Sequence, residues 1–144
     1  MAKYNFDCTK FRGYKPCVAK RTCEGCDEYT PYDRKIVIVK LGALGDVLRT
    51  TQVLFALKRK HPNAHITWVT KQNAKEMLET SPRINRLVYV DQNDNGGMLR
   101  LMVEEFDELH CYDKEDAAIG LATMIKAKKK FDELLDLQKY ETVR

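Results

Sequence analysis

Four cysteines lie within the first 26 residues of this 144-residue chain, and a fifth, Cys111, lies far downstream. The spacing C-x8-C-x5-C-x2-C puts the four at Cys8, Cys17, Cys23 and Cys26. Four thiolates suit the tetrahedral shell of a structural zinc ion, and an iron–sulfur cluster takes the same ligands. Nearby lysines and arginines would offset the double negative charge of a four-thiolate zinc site. The segment therefore predicts a metal site, with ordinary unligated thiols as the alternative.

A second group of residues with chemical potential lies in the loop Leu-Gly-Ala-Leu-Gly-Asp at 41–46. The loop joins a predicted strand to a predicted helix, which is where open parallel sheets present ligand contacts. It matches neither the dinucleotide fingerprint nor the P-loop, because only G-x-x-G is present and no lysine follows the glycines. Asp46 comes directly after Gly45 and could accept a proton from a substrate hydroxyl. The alternative is that Asp46 only caps the helix.

The elements around this loop alternate between strand and helix. A β-branched run at 34–41 predicts a buried parallel strand, and apolar residues with helical spacing predict a helix from 47 to about 61. Further strands are expected at 64–70, 87–90 and 106–112, and further helices at 73–80, 98–105 and 115–130. Helical crossovers imply parallel pairing, so the expected fold is α/β, a Rossmann-like parallel sheet flanked by helices.

We divide the sequence into three parts on this pattern. They are a Cys-rich, metal-binding extension at 1–33, a Rossmann-like domain at 34–130, and a polar tail with helical character at 131–144. The longest apolar runs, such as 36–39, are far shorter than the ~20 residues that cross a bilayer. The start of the chain has no apolar signal-peptide core, so we expect a cytoplasmic protein. A net charge of +4 is too small to indicate nucleic-acid binding.

The segment K-I-V-I-V-K-L-G-A-L-G-D-V-L-R-T-T at 35–51 resembles the start of glycosyltransferase family 9, the heptosyltransferases of lipopolysaccharide core assembly and their relatives. The resemblance continues through 57–69 and 84–91, more loosely at 106–107 and 113–114, and the cysteine-rich lead-in resembles a subset of the family. The block G-x-x-G-D-V-L-x-T-T is its specific part. Gln52 departs from the family pattern, which has a proline there.

The resemblance implies the N-terminal half of a GT-B type enzyme, which has two facing Rossmann-like halves. In that family the N-terminal half contributes to the acceptor site and carries a catalytic aspartate, which aligns with Asp46. A sugar, typically heptose from ADP-heptose, moves to a hydroxyl of a lipid-linked glycan acceptor with inversion and without a catalytic metal. The substrate-binding positions would be Gly42, Ala43, Gly45, Arg49 and Thr50.

The resemblance also implies that the nucleotide sugar is bound mainly by a C-terminal domain that these 144 residues do not contain. The isolated chain is therefore expected to lack transferase activity. The basic run at 126–130 is expected to end a helix, and it could also attract the anionic inner membrane surface that carries a lipid-linked acceptor. The alternative function is a non-catalytic, zinc-containing Rossmann-like binding module.

Overall fold

A computed structural model describes residues 4–11, 17 and 22–132 of the chain. The chain divides into two compact units, at 1–33 and 34–144. In the described part of the first unit, two isolated antiparallel β-bridges pair the backbone of Cys8 with Pro31 and that of Phe11 with Cys17. The second unit carries the regular secondary structure.

Within residues 34–132 the strands form a five-stranded, wholly parallel sheet. The strands are β1 (Arg34–Val39), β2 (Ala64–Thr70), β3 (Arg86–Tyr89), β4 (Glu105–Cys111) and β5 (Lys126–Asp132). Their order is β3-β2-β1-β4-β5, so the direction of winding reverses between β1 and β4. Ligands of open α/β sheets bind in the crevice at the carboxyl ends of the strands at such a reversal. The expected α/β, Rossmann-like fold is confirmed.

The helices among the described residues are α1 (Leu44–Thr50), α2 (Gln52–Lys60), α3 (Lys75–Leu78, after a 3-10 turn at Gln72–Ala74), α4 (Asn95–Val103) and α5 (Asp116–Met124). The first predicted helix begins earlier than expected and divides at Thr51. The Thr51 hydroxyl donates to the Leu48 carbonyl at 2.5 Å, and this bond competes with the regular helical pattern. The backbone of Thr51 stays in the right-handed helical region, so α1 and α2 are nearly continuous.

The prediction of a helix at 115–130 is wrong for its second half. Helix α5 ends at Met124, and the basic run belongs to β5, which pairs with β4 and includes Phe131 and Asp132 from the predicted tail. The Phe131 ring stacks on His110, its partner in β4, with ring centroids 4.8 Å apart. Lysines on an edge strand also discourage pairing with other chains. Residues 133–144, the rest of the predicted tail, lie outside the described residues.

The two faces of the sheet bury separate apolar cores. In β1, Val37 and Val39 pack into one core, and Ile36 and Ile38 pack into the other, as the alternation of a strand requires. The first core is completed by α4 and α5, and the second by α1, α2 and α3. Because β1 is central and buried on both faces, the loop at its carboxyl end starts from a fixed position.

A buried carboxylate binds the opposite, amino-terminal ends of the strands together. Glu104 is fully buried, and its side chain contacts Lys35 at the start of β1, Arg86 at the start of β3 (2.6 Å) and Arg100 in α4. Burial raises the pKa of Glu104, but the neighbouring cations outweigh it, so the net pKa lies below the usual range. The carboxylate is therefore charged in the folded protein at neutral pH.

The stability of the fold is expected to depend on pH through His65 in β2. Burial, together with Lys35 and Arg86, lowers the pKa of His65 from 6.5 to about 3. The unfolded chain then binds one more proton than the native chain between these values, so stability falls as pH falls below 6.5. From pH 7 to pH 5 the free energy of unfolding should drop by about 2 kcal/mol, as measured by urea denaturation.

His65→Gln is expected to remove most of this slope, because glutamine does not titrate. Glu104 also titrates, but its pKa lies below 4.5, so its contribution falls outside the pH 5 to 7 window. If the variant keeps the full slope between pH 7 and pH 5, His65 is not its source.

Candidate functional site

The loop that follows β1 is held by Asp113, which follows β4. One carboxylate oxygen, Oδ2, accepts hydrogen bonds from the backbone N–H groups of Leu41 (3.0 Å) and Gly42 (3.3 Å) and lies 3.5 Å from Lys40 Nζ. Burial raises the pKa of Asp113, but the backbone N–H donors and Lys40 outweigh it, so the net pKa is lowered. A charged Asp113 therefore joins the carboxyl ends of β1 and β4 at the winding reversal.

An ion pair lies beside the glycine loop. Lys71, which follows β2, donates to Glu115 Oε1 at 2.7 Å. The other oxygen of this carboxylate faces Gly42, where an added Cβ would lie 3.4 Å from it. Glycine at 42 therefore leaves a space beside the Glu115 carboxylate, and a side chain at this position would make that space smaller.

Ala43 has an unusual backbone conformation, with φ of 59° and ψ of 90°. A non-glycine residue with positive φ costs of order 1–3 kcal/mol, and such residues cluster at functional sites. Ala43 is the residue before α1, and its carbonyl accepts from the N–H groups of Asp46 and Val47, each at 2.9 Å. The strained residue therefore sets the angle at which α1 leaves the sheet.

Asp46 lies in the first turn of α1, and its side chain is 46% exposed. No side chain caps α1, so the capping interpretation of Asp46 is wrong. Its Oδ1 pairs with Arg49 one turn later, whose side chain is largely exposed. The Thr50 hydroxyl donates to the Asp46 carbonyl at 2.7 Å, a bond within α1, and its role in substrate binding stays a prediction.

Gly45 faces open space. A Cβ added there would meet no atom within 4 Å, and its φ is not in the left-handed region. Neither the packing nor the backbone of the protein therefore requires glycine at this position. The open space at Gly45, next to the exposed Asp46 carboxylate, is available to a ligand.

The structure brings the predicted loop residues together on one short segment: Gly42, Ala43, Gly45, Asp46, Arg49 and Thr50. It adds Asp113, Glu115 and Lys71, which sequence reasoning did not identify as site residues. Their only sequence signal is a position just after a strand. Because the carboxyl ends of parallel strands lie at the same edge of the sheet, polar residues directly after a strand are candidates for this site.

The four predicted metal ligands belong to the first unit. Cys8 is buried, and Cys17, Cys23 and Cys26 are half-buried. No disulfide links any of the cysteines, all of which are among the described residues. Within 4–11, 17 and 22–132, no three Cys, His, Asp or Glu side chains stand gathered as a ready metal shell. The metal site stays a prediction.

No protein-family model and no curated protein matches this sequence. Over the residues that the structure describes, no helix is both long and apolar enough to span a membrane.

Several solved structures match the fold. A glycosyltransferase family 9 protein from Veillonella parvula is 25% identical over 69% of this chain, with a TM-score of 0.57. The E. coli heptosyltransferase WaaC, solved with ADP, is 19% identical over 68% of this chain, with a TM-score of 0.58. The same enzyme, solved with ADP-2-deoxy-2-fluoro heptose, is 18% identical over 68% of this chain, with a TM-score of 0.54.

The matched region spans only about a third of these proteins, namely 31%, 34% and 36% of their lengths. These solved structures, of a family 9 glycosyltransferase and of a heptosyltransferase, share the fold of this chain over about two thirds of its length.

Proposed function

We propose that this chain is the acceptor-side half of a family 9 glycosyltransferase. In this proposal Asp46 is the general base for inverting transfer of a sugar, with heptose from ADP-heptose as the first donor to test. The acceptor is a hydroxyl of the lipopolysaccharide core or of a related glycan. The observation that carries the proposal is an exposed Asp46 carboxylate beside the open space at Gly45, at the carboxyl end of β1.

The chemistry needs a carboxylate oxygen that can take a proton. Arg49 pairs with Oδ1 of Asp46, so Oδ2 remains to accept the proton of an acceptor hydroxyl. As that proton leaves, the acceptor oxygen attacks the anomeric carbon, and the bond from this carbon to the nucleoside diphosphate breaks. Cations of a donor-binding half would stabilise the departing diphosphate. Arg49, being largely exposed, can also contact an anionic group of the acceptor.

Leu44 and Leu48 form a small apolar surface on α1. They lie one helical turn apart and are 44% and 57% exposed. Residues four apart share a helix face whereas residues two apart do not, so this surface lies on a different face of α1 from Asp46. The lipid-linked acceptor is therefore carried over from the family resemblance and not from these leucines. Contact with the inner membrane and a cytoplasmic location remain predictions.

Gly45→Ala is expected to weaken acceptor binding at least tenfold while leaving the fold as stable as before or more stable. Alanine favours a helix over glycine by up to about 1 kcal/mol, and the new Cβ meets no protein atom. The same Cβ would occupy the space through which the acceptor approaches Asp46. Titration of the chain with a lipopolysaccharide-core oligosaccharide, followed by amide NMR shifts at 42–50, measures the affinity, and a thermal melt measures the stability.

Gly120→Ala is the matched control for this experiment. Gly120 is also an exposed helical glycine whose added Cβ would meet nothing within 4 Å, but it lies inside α5. It should gain similar stability and keep the wild-type affinity. Wild-type affinity in Gly45→Ala, or no shift changes at 42–50 with the unaltered chain, would contradict the proposed acceptor site.

A further inference from the structure

All four cysteines of the first unit line the same cavity. Cys8, Cys17, Cys23 and Cys26 contribute to its wall, and its volume is ≈ 20 Å³. A cavity volume of about 10–15 Å³ is enough to hold one water-sized particle. The cavity therefore has room for one ion.

The C-x-x-C segment folds as a tight turn that directs both of its cysteines to this cavity. The N–H of Cys26 donates to the Cys23 carbonyl at 3.1 Å, and Gly25 between them has φ of 68°. Only glycine adopts this conformation at little cost, so the turn depends on the residue that the sequence supplies. A similar turn follows Cys8, whose carbonyl accepts from the N–H of Phe11 at 3.1 Å.

Backbone N–H groups point at the sulfur atoms of the cavity. The backbone N of Asn5 lies 3.3 Å from Cys23 Sγ, and that of Glu28 lies 3.4 Å from Cys26 Sγ. The backbone N atoms of Lys10 and Thr30 both lie 3.5 Å from Cys8 Sγ. In two of these pairs the donor lies two residues after the cysteine, so the arrangement repeats on both sides of the cavity. A thiol sulfur is a weak acceptor, whereas a thiolate ligand gains from such donors.

The first unit has little else to fold around. Among its described residues, Cys8 alone belongs to the buried apolar residues, and the half-buried rings of Phe6 and Phe11 add one edge-to-face contact. Units shorter than about 40 residues usually need a metal, disulfides or a partner to be stable. The four cysteines of this unit have free thiols, and these are groups through which a metal could stabilise the unit.

We propose that Cys8, Cys17, Cys23 and Cys26 bind one Zn²⁺ as a structural tetrathiolate site. Each of the four thiols gives up its proton to solvent as its sulfur bonds to the ion, so the complex carries a net charge of −2 and nothing is oxidised or reduced. The sulfurs line the cavity without forming a finished shell, and the ion draws them together. Lys10, which also lines the cavity, offsets part of the charge.

The full chain, purified without chelator and analysed by native mass spectrometry with elemental analysis, is expected to contain one zinc ion. Removing the ion with a chelator should collapse the amide NMR signals of residues 4–11 and 22–33. The signals of the sheet should stay dispersed, because the second unit has its own cores, and they report that the chain remains folded. Zinc absent from the purified chain and not taken up at micromolar Zn²⁺ would overturn the proposal.

Variants separate this site from a chance thiol–metal contact. Cys23→Ser and Cys26→Ser should each weaken zinc binding at least ~100-fold, whereas Cys111→Ala, which removes a thiol from the sheet core, should keep one zinc ion per chain. Wild-type zinc affinity in either serine variant would overturn the assignment. Iron and sulfide on the same cysteines would overturn zinc as the bound metal.

Discussion

Asp46→Asn is expected to lower kcat for sugar transfer by about 100- to 10,000-fold, because asparagine keeps the shape of aspartate but cannot take a proton. The fold should be little affected, since the Asp46 side chain is half-exposed and its ion pair with Arg49 lies at the surface. The measurement is release of ADP from ADP-heptose with a lipopolysaccharide-core acceptor. The assayed protein is a fusion of this chain to the donor-binding half of a family 9 enzyme.

Asp116→Asn is the matched control, because Asp116 also lies in the first turn of a helix that follows a strand. It should leave kcat within about twofold of the wild type. Arg49→Gln separates the two partners of the ion pair: the base remains, so kcat should fall less than in Asp46→Asn. Wild-type kcat in Asp46→Asn would contradict the catalytic role and would leave the chain as a binding module.

The sequence predicted four of the five strands, including the edge strand β3, but not the other edge strand, β5. Strands β1 and β2 are buried on both faces, and such strands have mostly apolar, β-branched sequences. Strand β5 reads as Lys-Ala-Lys-Lys-Lys, which is typical of a helix end, and it becomes a strand through its pairing with β4. Because that pairing is a contact between distant residues, local spacing could not indicate it.

The candidate site shows the same division between local and distant information. The glycines, Asp46 and Arg49 lie on a continuous segment, so their proximity follows from the sequence. Asp113 lies 71 residues from Gly42, and only the parallel order of β1 and β4 brings the two together. The positive φ of Ala43 was also unpredictable, because alanine is not a residue type that favours it.

Glu104→Gln is expected to give the largest loss of stability, about 3–5 kcal/mol in urea denaturation at pH 7. Glutamine fills the same volume but removes the negative charge, so buried Lys35 and half-buried Arg86 and Arg100 lose their counter-ion. Glu105→Gln is the control, because the neighbouring glutamate is exposed at the start of β4, and it should change stability by less than about 0.5 kcal/mol. Equal losses in the two variants would contradict the role of the cluster.

The pH dependence of the Glu104→Gln variant tests the electrostatic cause directly. Burial already lowers the pKa of Lys35 from 10.5, and Glu104 is the group that opposes this shift. Without the carboxylate, the native pKa of Lys35 falls further, so the unfolded chain binds more protons than the native chain over a wider range below pH 10.5. Stability must then rise with pH in that range, because the folded amine becomes neutral. We therefore expect Glu104→Gln to regain part of its lost stability between pH 7 and pH 9, and a loss that stays constant would indicate poor packing instead of an unbalanced charge.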